Sequence, residues 1–258
     1  MHEIRLKKST LFLCFLVFFI FFADIPKSIL YKGYEIQKKT IERKIFHMFG
    51  DTKLYSREGK HSILYFTKDS PYIDLIIRVT DTYYPLITND FQYTPSKKAE
   101  LLLYHDKELL SKALNTKTVP MGAYYGGIIH ILEPQFWTDE TTESKITDDF
   151  LENGPIIHEL IHFVMDEKMH GDYPLWFTEG VALYYEKKYI GFEWRKDLKE
   201  KSKAITLEQL EKNFVYLDSA TAYRKSYDII NELVKKIGES GLQSIIENHQ
   251  TISKQLFQ

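Results

Sequence analysis

Five consecutive residues, His158-Glu159-Leu160-Ile161-His162, concentrate the chemistry of this chain. Residues four apart on a helix stand one above the other on the same face. Two imidazoles placed that way can hold one Zn²⁺, and the glutamate beside the first can act as a general base. The flanks are apolar: Ile156, Ile157, Leu160, Ile161, Phe163 and Val164. A helix that is apolar on most sides belongs inside a domain, where polar side chains need partners. A zinc ion would partner both imidazoles. The plainer alternative is a pair of hydrogen-bonded core histidines. Cys14 is the sole cysteine, which excludes an internal disulfide and a cysteine-ligated zinc cluster.

A hydrolytic zinc site needs a third protein ligand and one open position. In the metzincin pattern a third histidine follows after a glycine, but those two positions are Met165 and Lys168 here. The chain instead turns at Gly171-Asp172-Tyr173-Pro174 and enters a second helix at Leu175. At about 1.5 Å per residue, His162 and His158 lie roughly 13 and 20 Å before that turn, and Glu179 and Glu186 roughly 10 and 21 Å after it. If the helices run antiparallel, either glutamate can face the histidines. The two are seven apart and share a face, so geometry alone leaves both open.

H-E-L-I-H followed by P-L-W-F-T-E-G-V-A resembles the gluzincin metallopeptidases. It is closest to peptidase MA-like domains, which carry P-x-W-x-x-E-G-x-A after H-E-x-x-H. The likeness is sharp over residues 155–187 and extends in overall order over about 60–248. It implies that Glu179 is the third zinc ligand, beside His158 and His162, with Glu159 as the base. It implies an α+β, zincin-like fold: a small mixed sheet, an active-site helix and a helical C-terminal half. It also implies hydrolysis of a peptide or protein substrate. Glu186 then becomes a candidate partner for a ligand histidine, although a surface glutamate beside Lys187 and Lys188 is the plainer reading. Ala222-Tyr223-Arg224-Lys225-Ser226 resembles the A-Y-x-x-S start of a family helix, which makes Tyr223 a candidate donor to the oxyanion. Tyr124, Tyr125, Tyr173 and His170 are alternatives. His170, by the turn, also reads as a helix cap, and His130, between Ile129 and Ile131, as a packed or surface histidine.

The elements that must hold these groups are readable from period and punctuation. Residues 35–49 have the spacing of an amphipathic helix ended by Gly50-Asp51. Residues 61–67 and 99–104 read as strands. Asp69-Ser70-Pro71 starts a helix that buries Ile73, Leu75, Ile76, Val79, Tyr83 and Leu86. Asp106 caps a short helix through Ala113. Residues 119–132 are a strand pattern interrupted by Gly122 and Gly126-Gly127, expected either as an edge strand beside a cleft, open to strand addition, or as a bulged hairpin. Residues 138–149 read as a loop or short helix, and Asn153-Gly154-Pro155 as a helix start. Thr206 opens a capping box, Asp218 precedes a longer helix through Gly238, and residues 242–247 form a last short one.

Residues 1–33 form a separate segment, expected as signal-anchor and linker, with the catalytic domain over 34–258. Arg5, Lys7 and Lys8 precede an apolar run from Leu11 to Ala23. Phe21 spoils a small-residue cleavage site, so an uncleaved single-pass anchor in the cell membrane is expected, with residues after Asp24 outside the cytoplasm. The alternative is secretion after cleavage. A formal charge of −2 gives no ground for a nucleic-acid partner. The expected function is a membrane-tethered zinc metallopeptidase. Its alternatives are a catalytically inactive, membrane-anchored binding or scaffold protein with the same fold, and a zinc hydrolase of non-peptide bonds.

Overall fold

Six residues, AELLLY, form strand β3 (Ala99–Tyr104) at the centre of a five-stranded mixed sheet. In this computed structural model, which describes residues 27–248, the order is β1 (Tyr55–Glu58), β2 (Ser62–Phe66), β3, β5 (Ile128–Leu132), β4 (Gly122–Tyr125). The three inner strands are parallel and the two outer ones antiparallel to their neighbours. A strand buried on both faces needs a continuous apolar run, and β3 and β5 supply one. Leu101, Leu103, Ile129 and Ile131 face the larger core with Leu64 and Phe66. Leu102, Tyr104, Ile128 and Leu132 face the other way, against Ile45 of helix α1 (Lys27–His47) and Phe49 just beyond it.

Helix α2 (Ile73–Asp90) links β2 to β3, and α3 (Lys107–Leu114) follows β3, capped by Asp106, which accepts from the Leu109 N–H at 2.8 Å. After β5 the chain is helical: α4 (Glu143–Asn153), α5 (Ile156–Met169), α6 (Leu175–Ile190), the short α7 (Lys199–Ser202), α8 (Leu207–Asn213) and α9 (Ser219–Glu247). Thr206 and Gln209 form the expected capping box of α8. The fold is thus α+β with a small mixed sheet and a helical C-terminal half. Helix α5 crosses the larger core with ten buried residues, among them Leu160, Ile161, Phe163 and Val164. His170 (φ 51) and Gly171 (φ 74) end it in left-handed conformations.

Several expectations change. Helix α1 is already formed at Lys27, the first described residue, and not only from Glu35. Of the two alternatives expected over 119–132 both are met: a hairpin, β4 to β5, turns at Gly126 (φ 62) and Gly127 (φ 86), and β4 is the edge strand of the sheet. Two successive positive φ values are what a two-residue hairpin turn demands. Residues 138–149 hold both expected forms, a loop over 138–142 and then the start of α4. Leu86 is exposed and Tyr83 half-buried, because Val79, Thr80, Tyr84 and Ile87 set the buried face of α2. The last short helix is the end of α9, beyond a kink at Gly238. β1, with four exposed residues, has no apolar signature and was not expected. The apolar run from Leu11 to Ala23 lies outside the described residues. Among the described residues no helix is long and apolar enough to cross a membrane.

Candidate metal centre and active site

Helices α5 and α6 pack side by side in the larger core and turn their polar residues toward each other. One ligand atom each from His158, His162 and Glu179 lies within 4.8 Å of the others. The Glu179 Oε2 is 3.1 Å from His158 Nε2 and 3.5 Å from His162 Nε2. The opposite ring nitrogens are occupied. His158 Nδ1 lies 3.1 Å from Glu186 Oε2, and His162 Nδ1 lies 2.7 Å from Thr178 Oγ1. The Glu186 carboxylate can only accept, so His158 Nδ1 carries the proton. Thr178 Oγ1 donates to Met165 Sδ at 3.4 Å and so accepts from His162 Nδ1–H. In neutral rings both Nε2 atoms then hold lone pairs, aimed at a carboxylate oxygen.

Lone pairs converging on one carboxylate oxygen are relieved by positive charge between them, either a metal ion or a proton on one ring. Glu159, Glu179 and Glu186 are each only 6% exposed. Among the described residues none is ion-paired to a lysine or arginine. Buried carboxylates are otherwise almost always paired. Two imidazoles and one carboxylate, with a second carboxylate behind, fit the ligand set of a divalent transition metal. The electrostatics agree. Burial opposes charge on His158, but Glu186 and Glu179 outweigh it and raise its pKa well above the usual imidazole value. Burial also opposes charge on Glu179, yet the two histidines hold its carboxyl well below the usual range.

No protein-family model matches this sequence, and no curated protein matches it.

Glu159 points the other way round α5, toward the edge strand β4. Its Oε2 accepts the Tyr124 N–H at 2.6 Å. Burial raises its pKa above the ordinary carboxyl value, toward that of a general base. Gly122 explains how β4 comes this near: a Cβ there would lie 2.7 Å from the Pro155 Cβ. In the ladder with β5, Leu132 N–H bonds Met121 O, so the N–H and C=O of Gly122 and Tyr124 turn away from β5. Gly122, Ala123 and Tyr124 line a cavity of about 320 Å³ that also reaches His158, Glu159, His162 and Glu179. A second, apolar lobe of about 340 Å³ shares His158, Glu159 and Tyr223 and is walled by Val119, Met121, Leu183, Phe192 and Trp194.

The remaining candidates sort clearly. Tyr223 lines both lobes. Burial, with Glu179 beside it, pushes its phenol pKa well up, so it stays a donor. Tyr173 lines the first lobe and is likewise shifted upward by burial. Tyr124 contributes its backbone, because its hydroxyl bonds Asp166 at 2.6 Å. Tyr125 is exposed and outside the cavities. His170 caps α5 and packs on Tyr31 at 4.5 Å. His130 is packed, not a ligand: Nε2 faces the Tyr125 carbonyl at 3.1 Å and Nδ1 the Tyr104 hydroxyl at 2.8 Å. Glu186 is buried rather than at the surface, so the plainer reading of it fails.

Sequence reasoning missed Thr178 and Asp166. Thr178 adjoins Glu179, where a hydroxyl gives no period signal. Asp166 stands four residues after His162, a charge in an apolar helix, and that anomaly was visible. Its partners were not: Tyr34 and Tyr124 through their hydroxyls, and Lys38 Nζ at 3.0 Å.

Proposed function

We propose that this chain is a zinc-dependent metallopeptidase of the gluzincin kind, tethered to a membrane by residues 11–23. The observation that carries the reading is the convergence of His158 Nε2, His162 Nε2 and a Glu179 oxygen on the floor of a cavity, with Glu159 alongside.

His158, His162 and Glu179 would hold the zinc ion, and Glu186 and Thr178 fix both rings in the tautomer that presents Nε2. A zinc ion held by these three residues would supply the Lewis acidity that acidifies water and polarises a carbonyl. Glu159 takes a proton from the attacking water and passes it to the leaving amine. Its hydrogen bond from the Tyr124 N–H keeps the carboxylate in place for both transfers. The phenol of Tyr223 donates to the developing oxyanion. The outer edge of β4 offers the Gly122 N–H and C=O and the Tyr124 C=O to an extended peptide, the Tyr124 N–H being held by Glu159. The apolar lobe takes one uncharged, bulky side chain next to the bond that is cut.

The test is zinc content and peptide-library cleavage by the purified full chain and by His158→Ala. Stoichiometric zinc, with cleavage that ends on chelation and is absent in the variant, supports the reading. A chain that purifies and refolds without zinc, or cleaves equally well with His158→Ala, overturns it.

A further inference from the structure

Helix α1 has two unlike faces. Lys38 and Ile45 point inward, the first onto Asp166 and the second into the smaller core. On the opposite stripe stand Ile29, Lys32, Ile36, Thr40 and Arg43, spaced three, four, four and three residues apart. Ile29, Leu30 and Ile36 are 59%, 55% and 61% exposed, high values for aliphatic side chains gathered in two helical turns. Every charged side chain among the exposed residues of α1 is a cation: Lys32, Lys39, Arg43 and Lys44. The two acidic residues of the helix, Glu35 and Glu42, are half-buried, and Glu35 is turned to Lys38. None of the four exposed cations is ion-paired among the described residues. This one-sidedness is local, since the whole chain carries 36 acidic against 34 basic residues.

We infer that the outer face of α1 lies on an anionic lipid bilayer, with Ile29, Leu30 and Ile36 in the headgroup–acyl boundary and the four cations among phosphates. Exposed aliphatic side chains flanked by cations suit the boundary between acyl chains and anionic headgroups. Continuity supports the choice of partner, because the apolar run of the sequence ends at Ala23, shortly before Ile29. Docking by this face would fix how the domain sits on its membrane, since the inner face of the same helix is clamped to α5 through Asp166. The inference rests on the proposed membrane tether, but it concerns different residues from the zinc site and does not depend on catalysis.

The test uses the full chain with Cys14→Ser and a nitroxide on Ile36→Cys, reconstituted in vesicles of phosphatidylcholine with or without phosphatidylglycerol. Accessibility of the label to oxygen and to a water-soluble nickel complex reports its depth. Expected is a several-fold shift toward oxygen in the anionic vesicles, abolished by Lys32→Glu, Lys39→Glu, Arg43→Glu and Lys44→Glu together. A label equally open to the nickel complex in both vesicle types overturns the inference. So does one equally shielded in both and indifferent to charge reversal, which would mean that another part of this chain covers the face. Dipolar broadening between labels would assign the face to a second copy instead. The readout needs no turnover, so it is decided separately from the peptidase reading.

Discussion

Helix α5 carries two buried polar clusters one turn apart, and they are built in opposite ways. Asp166 is fully buried, yet three donors meet it: the hydroxyls of Tyr34 and Tyr124 and the ammonium of Lys38, which also reaches Glu167 at 2.9 Å. Lys97 adds a second cation beside Glu167 at 3.1 Å. The cluster is saturated and ties α1, α5 and β4 together. Around His158 and His162, three buried carboxylates meet no lysine or arginine among the described residues, two ring nitrogens aim lone pairs at one point, and a cavity opens beside them. A saturated cluster holds a fold together, whereas an unsaturated one beside a cavity has capacity left for a ligand.

That contrast is broken most forcefully at Glu159. Glu159→Gln keeps an oxygen to accept the Tyr124 N–H, so zinc content and folding should be unchanged while turnover falls by about a thousandfold or more. A variant that still turns over at near the parent rate would remove Glu159 from the base role. Asp166→Ala should do the reverse. It strands two phenols and takes one of three carboxylates from Lys38, at a cost of about 3 kcal/mol in unfolding free energy. Zinc per folded molecule should stay the same. Loss of zinc without loss of stability would place Asp166 in the site and end the distinction.

His130 sharpens the comparison, because it is a histidine of the saturated kind. Its Nε2–H donates to the Tyr125 carbonyl and its Nδ1 accepts from the Tyr104 hydroxyl, which leaves no lone pair for a metal. Burial lowers its pKa from 6.5 to about 4. A group with a lowered folded pKa is neutral in the fold but takes up a proton on unfolding. Its contribution is therefore complete above about pH 6.5 and is lost as pH falls toward 4, amounting to about 3 kcal/mol. Denaturant unfolding across that window should show a shallower pH slope for His130→Gln than for the parent. An identical slope would assign the acid sensitivity to other groups.

What was legible in the sequence follows the range of each interaction. The H-E-x-x-H pentapeptide, the β3 run and the Thr206 capping box are local patterns, and each appears where period and punctuation place it. The choice between Glu179 and Glu186 was not legible from helix register, and the structure shows why. Seven residues apart on one face, the two glutamates sit on opposite sides of the same imidazole, Glu179 at His158 Nε2 and Glu186 at Nδ1. Both were good answers because both are used. The glycines of 119–132 were visible as interruptions but not as two different devices: Gly122 admits Pro155, and Gly126-Gly127 makes the turn. The clamp on Asp166 pairs residues 128 positions apart, and no local signal announces such a contact.

Glu186 gives the finest test, because it stands where the two clusters differ least. Like the partners of Asp166, it satisfies a hydrogen bond; unlike them, it does so for a side chain that faces the cavity. Glu186→Gln keeps an oxygen to accept the His158 Nδ1–H, so ring orientation survives and only the charge is lost. Zinc affinity should fall by about 10- to 100-fold, the usual cost of altering a partner behind a metal ligand. Turnover at saturating zinc should change far less than in Glu159→Gln. Thr178→Val, which removes the acceptor for His162 Nδ1–H, should weaken zinc comparably. Competition with a chelator of known affinity measures both. If Glu186→Gln bound zinc as tightly as the parent, the carboxylate would be there for the ring alone. The converging lone pairs of His158, His162 and Glu179 would then account for the metal without help from behind.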